Sequence, residues 1–278
     1  IGGTGHIGGA VLHKTVERIP GSVVTVLVCD EDKAQRLVSK YPQVKPVIGD
    51  LESFDLIEAS SREADIVINT TPDITHDKAI ESAINGWYYI HTSGASILWD
   101  EPNGSREAQT WDDVDDIQDI LALDLDKTHS ATDSLVRNAA ADVNVAIISP
   151  GFVGGMSPSI EHPTPITTPG FVLTSRAFKT GFQIAQGEIN MHGSMSKTSL
   201  RSKASMYSDS YTEESVPPAA DSWAMHIAIM YGVNMRLRAT RMTKLGWKPR
   251  KGPSVGTFDE VFGTFLRSER EAADKGKA

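Results

Sequence analysis

The chain predicts an α/β fold built on a doubly wound parallel sheet, and three features point to it. A glycine-rich turn, Ile1-Gly2-Gly3-Thr4-Gly5-His6-Ile7-Gly8-Gly9, opens the chain. Short apolar runs then alternate with stretches of helical spacing. The apolar runs end in small polar clusters, where a parallel sheet presents its ligands.

The elements can be taken in chain order. From His6 to Arg18, Ile7, Val11, Leu12, Val16 and Ile19 recur at the spacing of a helix leaning on a sheet, and Pro20-Gly21 stops it. Val23 to Cys29 is a near-continuous apolar run, the mark of a strand buried on both faces. Glu31 to Tyr41 has a helical pattern closed by Pro42. Val44 to Ile48 reads as a strand, residues near Phe54 to Ser61 as a helix, and Asp65 to Asn69 as a strand. Thr75 to Asn85 is helical, with Gly86 as its stop, and Trp87 to His91 is the next strand. A helix near Leu125 to Ala141 leads into a strand over Val143 to Ser149. This rhythm gives strands joined by crossover helices.

A glycine turn of this kind works between a strand and a helix. Gly2, Gly5 and Gly8 give the spacing G-x-x-G-x-x-G. Glycine permits the tight turn and a close approach of backbone to a pyrophosphate, and the helix-start amides receive its charge. The reading is a Rossmann-like site for NAD or NADP. Gly2, Thr4, Gly5, His6, Ile7 and Gly8 are its expected contacts. The supporting strand would have to end at Ile1, so the sequence reads as cut just before it. In the usual order that strand lies at the sheet centre, and its loss would expose two edges. The expected division is a dinucleotide-binding domain over residues 1–155 and a smaller, irregular lobe over 156–278.

Composition sets the bounds. The 278 residues are 40% hydrophobic and 23% charged, ordinary for a globular chain. A net charge of -9 disfavours nucleic acid and anionic membrane as partners. One cysteine, Cys29, excludes an internal disulfide and fits a reducing, cytoplasmic setting. It reads as a buried packing residue. No apolar run approaches a membrane span, and no signal peptide is visible. The eight histidines form no metal-ligand spacing, so no metal site is expected.

The remaining ligand positions lie at strand ends. Asp30 follows the second strand about 22 residues after Gly8, near the ~20 expected of a ribose-binding carboxylate. Such a carboxylate accepts from the ribose hydroxyls of NAD and repels the extra phosphate of NADP. Asp30 therefore leans the choice toward NAD, though it equally fits the cap of the next helix. Asp50 and Leu51 follow the third strand and could face the adenine, or form a plain turn. Asn69, Thr70 and Thr71 close the fourth strand at the crevice edge, or form an N-cap and turn. Pro150 and Gly151 close the strand near Val143.

Taken together, the glycine loop, Gly49-Asp50-Leu51, Asn69-Thr70-Thr71, His91-Thr92-Ser93-Gly94 and Ser149-Pro150-Gly151 resemble the ordered motifs of short-chain dehydrogenase/reductases. The closer resemblance is to their extended and atypical branches, the NAD-dependent epimerase/dehydratases and NmrA-like proteins. The segment Arg238-Ala239-Thr240-Arg241 with Leu245-Gly246-Trp247-Lys248-Pro249 resembles the ending of nucleotide-sugar epimerase-like members, especially fungal ones. The resemblance implies bound NAD(P) and redox chemistry at a substrate carbon held over the nicotinamide.

Hydride transfer at an alcohol carbon needs an acceptor for the hydroxyl proton. A tyrosine acidified by a nearby lysine serves, four residues apart on one helix face. Here those positions fall at or near Ser130 and Ser134, which supply neither acidity nor charge. Tyr41-Pro42-Gln43-Val44-Lys45 has the spacing, but Pro42 breaks the helix it would need. Ser93 is placed to hold a substrate oxygen, or to bond its own turn. His129 titrates near neutrality and could exchange a proton with Ser93. Ser93 and His129 are thus the catalytic candidates.

The second half is compositionally unusual. Ser157 to Pro169 is rich in Pro, Ser and Thr and reads as irregular. Phe171 to Gln186 can make a helix, Gly193 to Glu214 shows no clear period, and Trp223 to Tyr231 regains helical character. Gly252 to Arg270 reads as an amphipathic helix, with Val261-Phe262 and Phe265-Leu266 on its apolar face, followed by a frayed tail from Glu271. Three functions fit. The first is a dinucleotide-binding protein with weak catalysis that meets a protein partner. The second is an active oxidoreductase or epimerase-like enzyme with atypical acid–base groups and a small-molecule substrate. The third is a truncated, nonfunctional relative.

Overall fold

The computed structural model describes residues 1–72, 76–100, 109–123, 127–166 and 236–248. Beyond these it describes 182–184, 209–211, 233, 261, 263–265, 267, 271 and 274. Two compact units share the chain, the first comprising residues 1–97, 123–150 and 157–163 and the second the remainder.

The first unit is the predicted parallel α/β layer. Its elements are α1 (His6–Arg18), β1 (Val24–Val28), α2 (Glu31–Lys40), β2 (Val44–Ile48), α3 (Phe54–Arg62) and β3 (Ile66–Asn69). α4 (Asp77–Ala83), β4 (Tyr88–Thr92), α6 (Ser130–Asn138) and β6 (Asn144–Ile148) complete it, with β5 (Thr110–Asp112) and α5 (Ile117–Leu121) of the second unit intervening. β1 pairs in parallel with β2, from Val24↔Val44 to Val28↔Ile48. β3, β4 and β6 form a second parallel ladder in that order.

Two apolar clusters hold these ladders. Leu12 of α1 and Ala34 and Leu37 of α2 bury against Val26, Val28 and Val44. Ile57 of α3, Ile80 and Ala83 of α4 and Val136 of α6 bury against Val67 and Tyr89. Burial of such side chains stabilises by about 1.5–3 kcal/mol each, which outweighs the modest local propensity of these short helices.

Between β1 and β3 lies a cavity of about 970 Å³. Its walls are the facing strands, Val24 to Leu27 and Ile66 to Ile68, with Val11 and Leu12 from α1 and Ile57 from α3. This is the central position of the expected sheet order, and no strand precedes His6 among the described residues. Ile1 nevertheless enters the β3 ladder. Its nitrogen donates to the Ile68 carbonyl at 2.8 Å, and its carbonyl accepts from the Thr70 amide at 3.2 Å. That is one step of a parallel pairing. Burial lowers the Ile1 ammonium from 8.0 to about 6.

In the second unit, β5 pairs in parallel with β9 (Arg236–Arg238). Asp112 at the end of β5 is buried and accepts from the Val114 and Asp115 amides and, at 2.6 Å, from the Thr240 hydroxyl. The Thr240 hydroxyl is the main reason its carboxyl sits below the usual range. α7 (Thr240–Lys244) ends at Gly246, whose φ of +88° suits a helix stop.

Several expectations change. Phe182–Ile184 is a strand paired in parallel with Asp209–Tyr211 (β7 and β8), not the end of a helix from Phe171. Gly181 interrupts helical spacing there, and Phe182 and Ile184 alternate around Gln183 as a strand does. The helix near Leu125 begins only at Ser130, after His129 in the left-handed region, φ 72°. Cys29 is exposed rather than packed, because β1 ends at Val28 and the chain turns outward into Asp30. Helical backbone recurs at Glu271 and Asp274, within the tail expected to fray. Trp223 to Tyr231 lies outside the described residues.

Candidate functional site

The glycine turn is shaped by close approaches. Gly2 has φ +76°, and a side-chain carbon there would lie 2.7 Å from the Thr70 hydroxyl oxygen. A side chain at Gly8 would collide with the Gly2 carbonyl and the same hydroxyl. These two glycines therefore let α1 begin directly against the end of β3. The Gly5 amide closes the turn on the Gly2 carbonyl at 2.9 Å. No side chain caps α1, and no acidic residue stands in its first turn. The helix-start amides and the positive helix end are left for an anion, as a pyrophosphate requires.

Thr4 and His6 turn their carbonyls the other way. The Ser159 hydroxyl donates to the Thr4 carbonyl and the Ser157 hydroxyl to the His6 carbonyl, each at 2.6 Å. The Ser159 oxygen in turn accepts from the Glu161 and His162 amides. His6 Nδ1 lies 3.1 Å from the His162 carbonyl, and burial lowers the ring's pKa, offset in part by that contact. Ile7 is half-buried at the start of α1. Sequence reasoning misses this serine clamp. Its only local signal is Ser-x-Ser inside a Pro-rich loop, and nothing in that loop points to a partner about 150 residues away.

Among the strand-end candidates, Asp30 caps α2. Its Oδ1 accepts from the Lys33 amide at 2.7 Å, and Lys33 Nζ stands 3.5 Å from Oδ2. The Lys33 amide is the main reason its carboxyl is held low. Asp50 also bonds locally, accepting from the Ser53 hydroxyl and the Glu52 amide, and its carboxyl is lowered first by Ser53. Leu51 packs against the second apolar cluster. Asn69 is buried, donating to the Tyr89 hydroxyl and accepting from the Thr71 amide and hydroxyl. Thr70 bonds the Ile1 carbonyl and stands against the glycine turn. Pro150 accepts from the Ala95 amide, while Gly151 belongs to the second unit.

Ser93 follows β4 at the same carboxyl edge. Its amide extends the ladder to the Ile148 carbonyl, and its hydroxyl donates to Asp133 Oδ2 at 3.0 Å. Asp133 lies in the first turn of α6 and is buried. His91 Nε2 is 4.0 Å from the other carboxylate oxygen, and the His91 ring stacks on Tyr89. The His129 ring lies against Gly94, where a side-chain carbon would overlap its Nε2. Ser130, at the expected tyrosine position, is buried. The sequence does not single out Asp133, because a lone acid in a helix's first turn reads as a dipole partner. Among the described residues no three His, Cys, Asp or Glu side chains group closely enough to hold a metal, and no helix is long and apolar enough to cross a membrane.

Residues 1–119 match the sequence profile of the saccharopine dehydrogenase NADP binding domain. The oxidase ucsJ of an Acremonium species is 30% identical over 159 residues, which span 52% of this chain and 44% of that relative. The chain thus spans less than half of that relative's length. Among solved structures, the terminal R domain of the myxalamid PKS-NRPS pathway superposes with TM-score 0.62 at 13% identity, covering 96% of this chain and 89% of that one. The dTDP-glucose 4,6-dehydratase of Bacillus anthracis, solved with NAD, superposes with TM-score 0.57 at 10% identity, covering 97% and 96%. At these identities the structures show the fold. The profile carries a name different from the epimerase/dehydratase resemblance, and the fold is common to both. The first 119 residues are similar to an NADP-binding domain, and the fold around them is Rossmann-like.

Proposed function

We propose that this chain binds NAD(P) through the turn from Gly2 to Gly9 and carries out conventional alcohol–ketone exchange slowly or not at all. The observation that supports binding is the turn itself. Two glycines have no room for a side chain, the α1 amides are uncapped, and the carbonyls of Thr4 and His6 are tied back by serines. The residues fit a dinucleotide pyrophosphate. When bound, the dinucleotide would supply hydride chemistry, and the chain's own residues would orient it.

Slow turnover is expected because the positions where the resemblance requires a tyrosine and a lysine fall at or near Ser130 and Ser134. With either dinucleotide and a panel of secondary alcohols, absorbance at the reduced nicotinamide band should stay flat. Rapid reduction that disappears in His129→Ala would overturn this reading and make His129 the proton acceptor.

The cofactor choice rests on Asp30. Its carboxylate stays ionised and would repel a 2′-phosphate, which favours NAD. Asp30→Ala should therefore raise the affinity for NADPH relative to NADH by about tenfold. Calorimetric titration of both forms measures the ratio. An unchanged ratio would leave Asp30 as a helix cap alone and remove the preference for NAD.

A further inference from the structure

We propose that the His6 ring takes up a proton when a dinucleotide pyrophosphate occupies the glycine turn, so that cofactor affinity rises as the pH falls. The inference rests on the dinucleotide reading and adds to it a charge that the bare turn lacks. His6 is the first residue of α1, and its own amide is among the helix-start donors left without a side-chain cap. A ring on that residue lies within about 8 Å of any phosphate the amide receives. The ring is half-buried, and opposite charges at that range still attract across such a site.

The hydrogen bonding of the ring decides where the proton goes. A backbone carbonyl only accepts, so the contact of Nδ1 with the His162 carbonyl at 3.1 Å puts a proton on Nδ1. In the neutral ring Nε2 is then a bare acceptor, which gives a phosphate nothing to bond. Protonation at Nε2 makes the ring a cation and a second donor without disturbing the bond to His162. Burial disfavours that charged form in the empty protein, the His162 carbonyl favours it, and the His162 ring repels it. A bound pyrophosphate supplies the negative charge that tips the balance.

The other charged groups nearby are engaged elsewhere. On the Ser157–Pro163 loop, Glu161 is paired with Arg36 of α2 at 2.9 Å, and Lys40 of α2 bonds the Pro158 carbonyl at 2.6 Å. Within α1, no acidic residue stands in the first turn, His13 two turns on faces the Tyr41 hydroxyl, and Lys14 pairs with Glu17. Among the described residues no carboxylate raises the ring's pKa, so that part is left to the ligand. Ile1, beside the turn, carries an ammonium that titrates at about 6 and has to be separated from the ring in any measurement.

Calorimetry in two buffers of different ionisation enthalpy counts the protons taken up when NAD or NADP binds. At pH 6.5 the parent should take up about 0.3 proton more than His6→Gln, whose amide can still donate to the His162 carbonyl. The affinity of the parent relative to the variant should grow about fivefold from pH 8 to pH 5.5. Reading parent against variant cancels the titration of the ligand and of Ile1. A purely structural loss in the variant would weaken binding equally at every pH. If His6→Gln fails to fold, the His6 ring is titrated by magnetic resonance in the isotope-labelled parent, and its midpoint should move to higher pH when the dinucleotide is added. Equal proton uptake by parent and variant, parallel pH profiles, or an unmoved midpoint would overturn the inference. If a dinucleotide binds and these differences are absent, only this inference falls; if neither dinucleotide binds, both fall.

Discussion

Extending the chain by five apolar residues joined to the Ile1 nitrogen should raise its thermal midpoint by about 6–12 °C, for a gain of about 3 kcal/mol. The cavity is walled by the facing strands β1 and β3, and its volume of about 970 Å³ accommodates five side chains of valine or isoleucine size. Both flanking strands would gain a backbone partner, and Ile1 already stands in parallel register with β3. A second signature accompanies the first. In the chain beginning at Ile1, the ammonium titrates near 8.0 unfolded and at about 6 folded. The unfolded state then binds more protons between those values. Stability is therefore nearly full above pH 8 and falls by about 2 kcal/mol between pH 8 and pH 6. A peptide bond at Ile1 removes that slope. Thermal unfolding of both chains at pH 6 and 8 checks both points, and equal midpoints with equal slopes would show that the cavity does not receive a strand.

Gly5→Asp should weaken dinucleotide binding by at least about a hundredfold. The glycine is the N-cap at the start of α1, where a side-chain carbon would already stand 3.2 Å from the Gly2 carbonyl. The added carboxylate would project negative charge into the position of the pyrophosphate and satisfy the very amides that should receive it. Calorimetry on the parent and the variant, with circular dichroism to confirm the fold, measures the loss. Affinity that survived the substitution would remove the glycine turn from the site.

The parts of this molecule legible in its sequence are those with a short period. The run from Val23 to Cys29 reads as a strand and contains β1, though only Val26 and Val28 are buried and its two ends are exposed, and the spacing of Val11, Leu12 and Val16 reads as a sheet-facing helix. Glycine spacing makes the tight turn legible, although the collisions that demand Gly2 and Gly8 are partly with Thr70, which the spacing does not name. Phe182–Ile184 reads wrongly as helix because three residues carry too little period to outweigh a neighbouring helical pattern. The bond from Ser93 to Asp133 spans 40 residues and that from Ser157 to His6 spans 151. No local rule connects such pairs, since they meet only after the sheet has brought its carboxyl edge together. Asp30 is readable in both its roles, and the contact with the Lys33 amide establishes the capping one.

The serine clamp has a thermodynamic consequence. A loop that must be frozen by its ligand loses conformational entropy on binding and gives up affinity in doing so. Here Ser157 and Ser159 already hold the carbonyls of Thr4 and His6, so the turn is preorganised before any ligand arrives. Most of its ordering cost falls on folding instead of on association. If the proposed dinucleotide site is the turn, its affinity is coupled to a segment about 150 residues away, and the Pro-rich stretch that reads as filler enters the binding equilibrium.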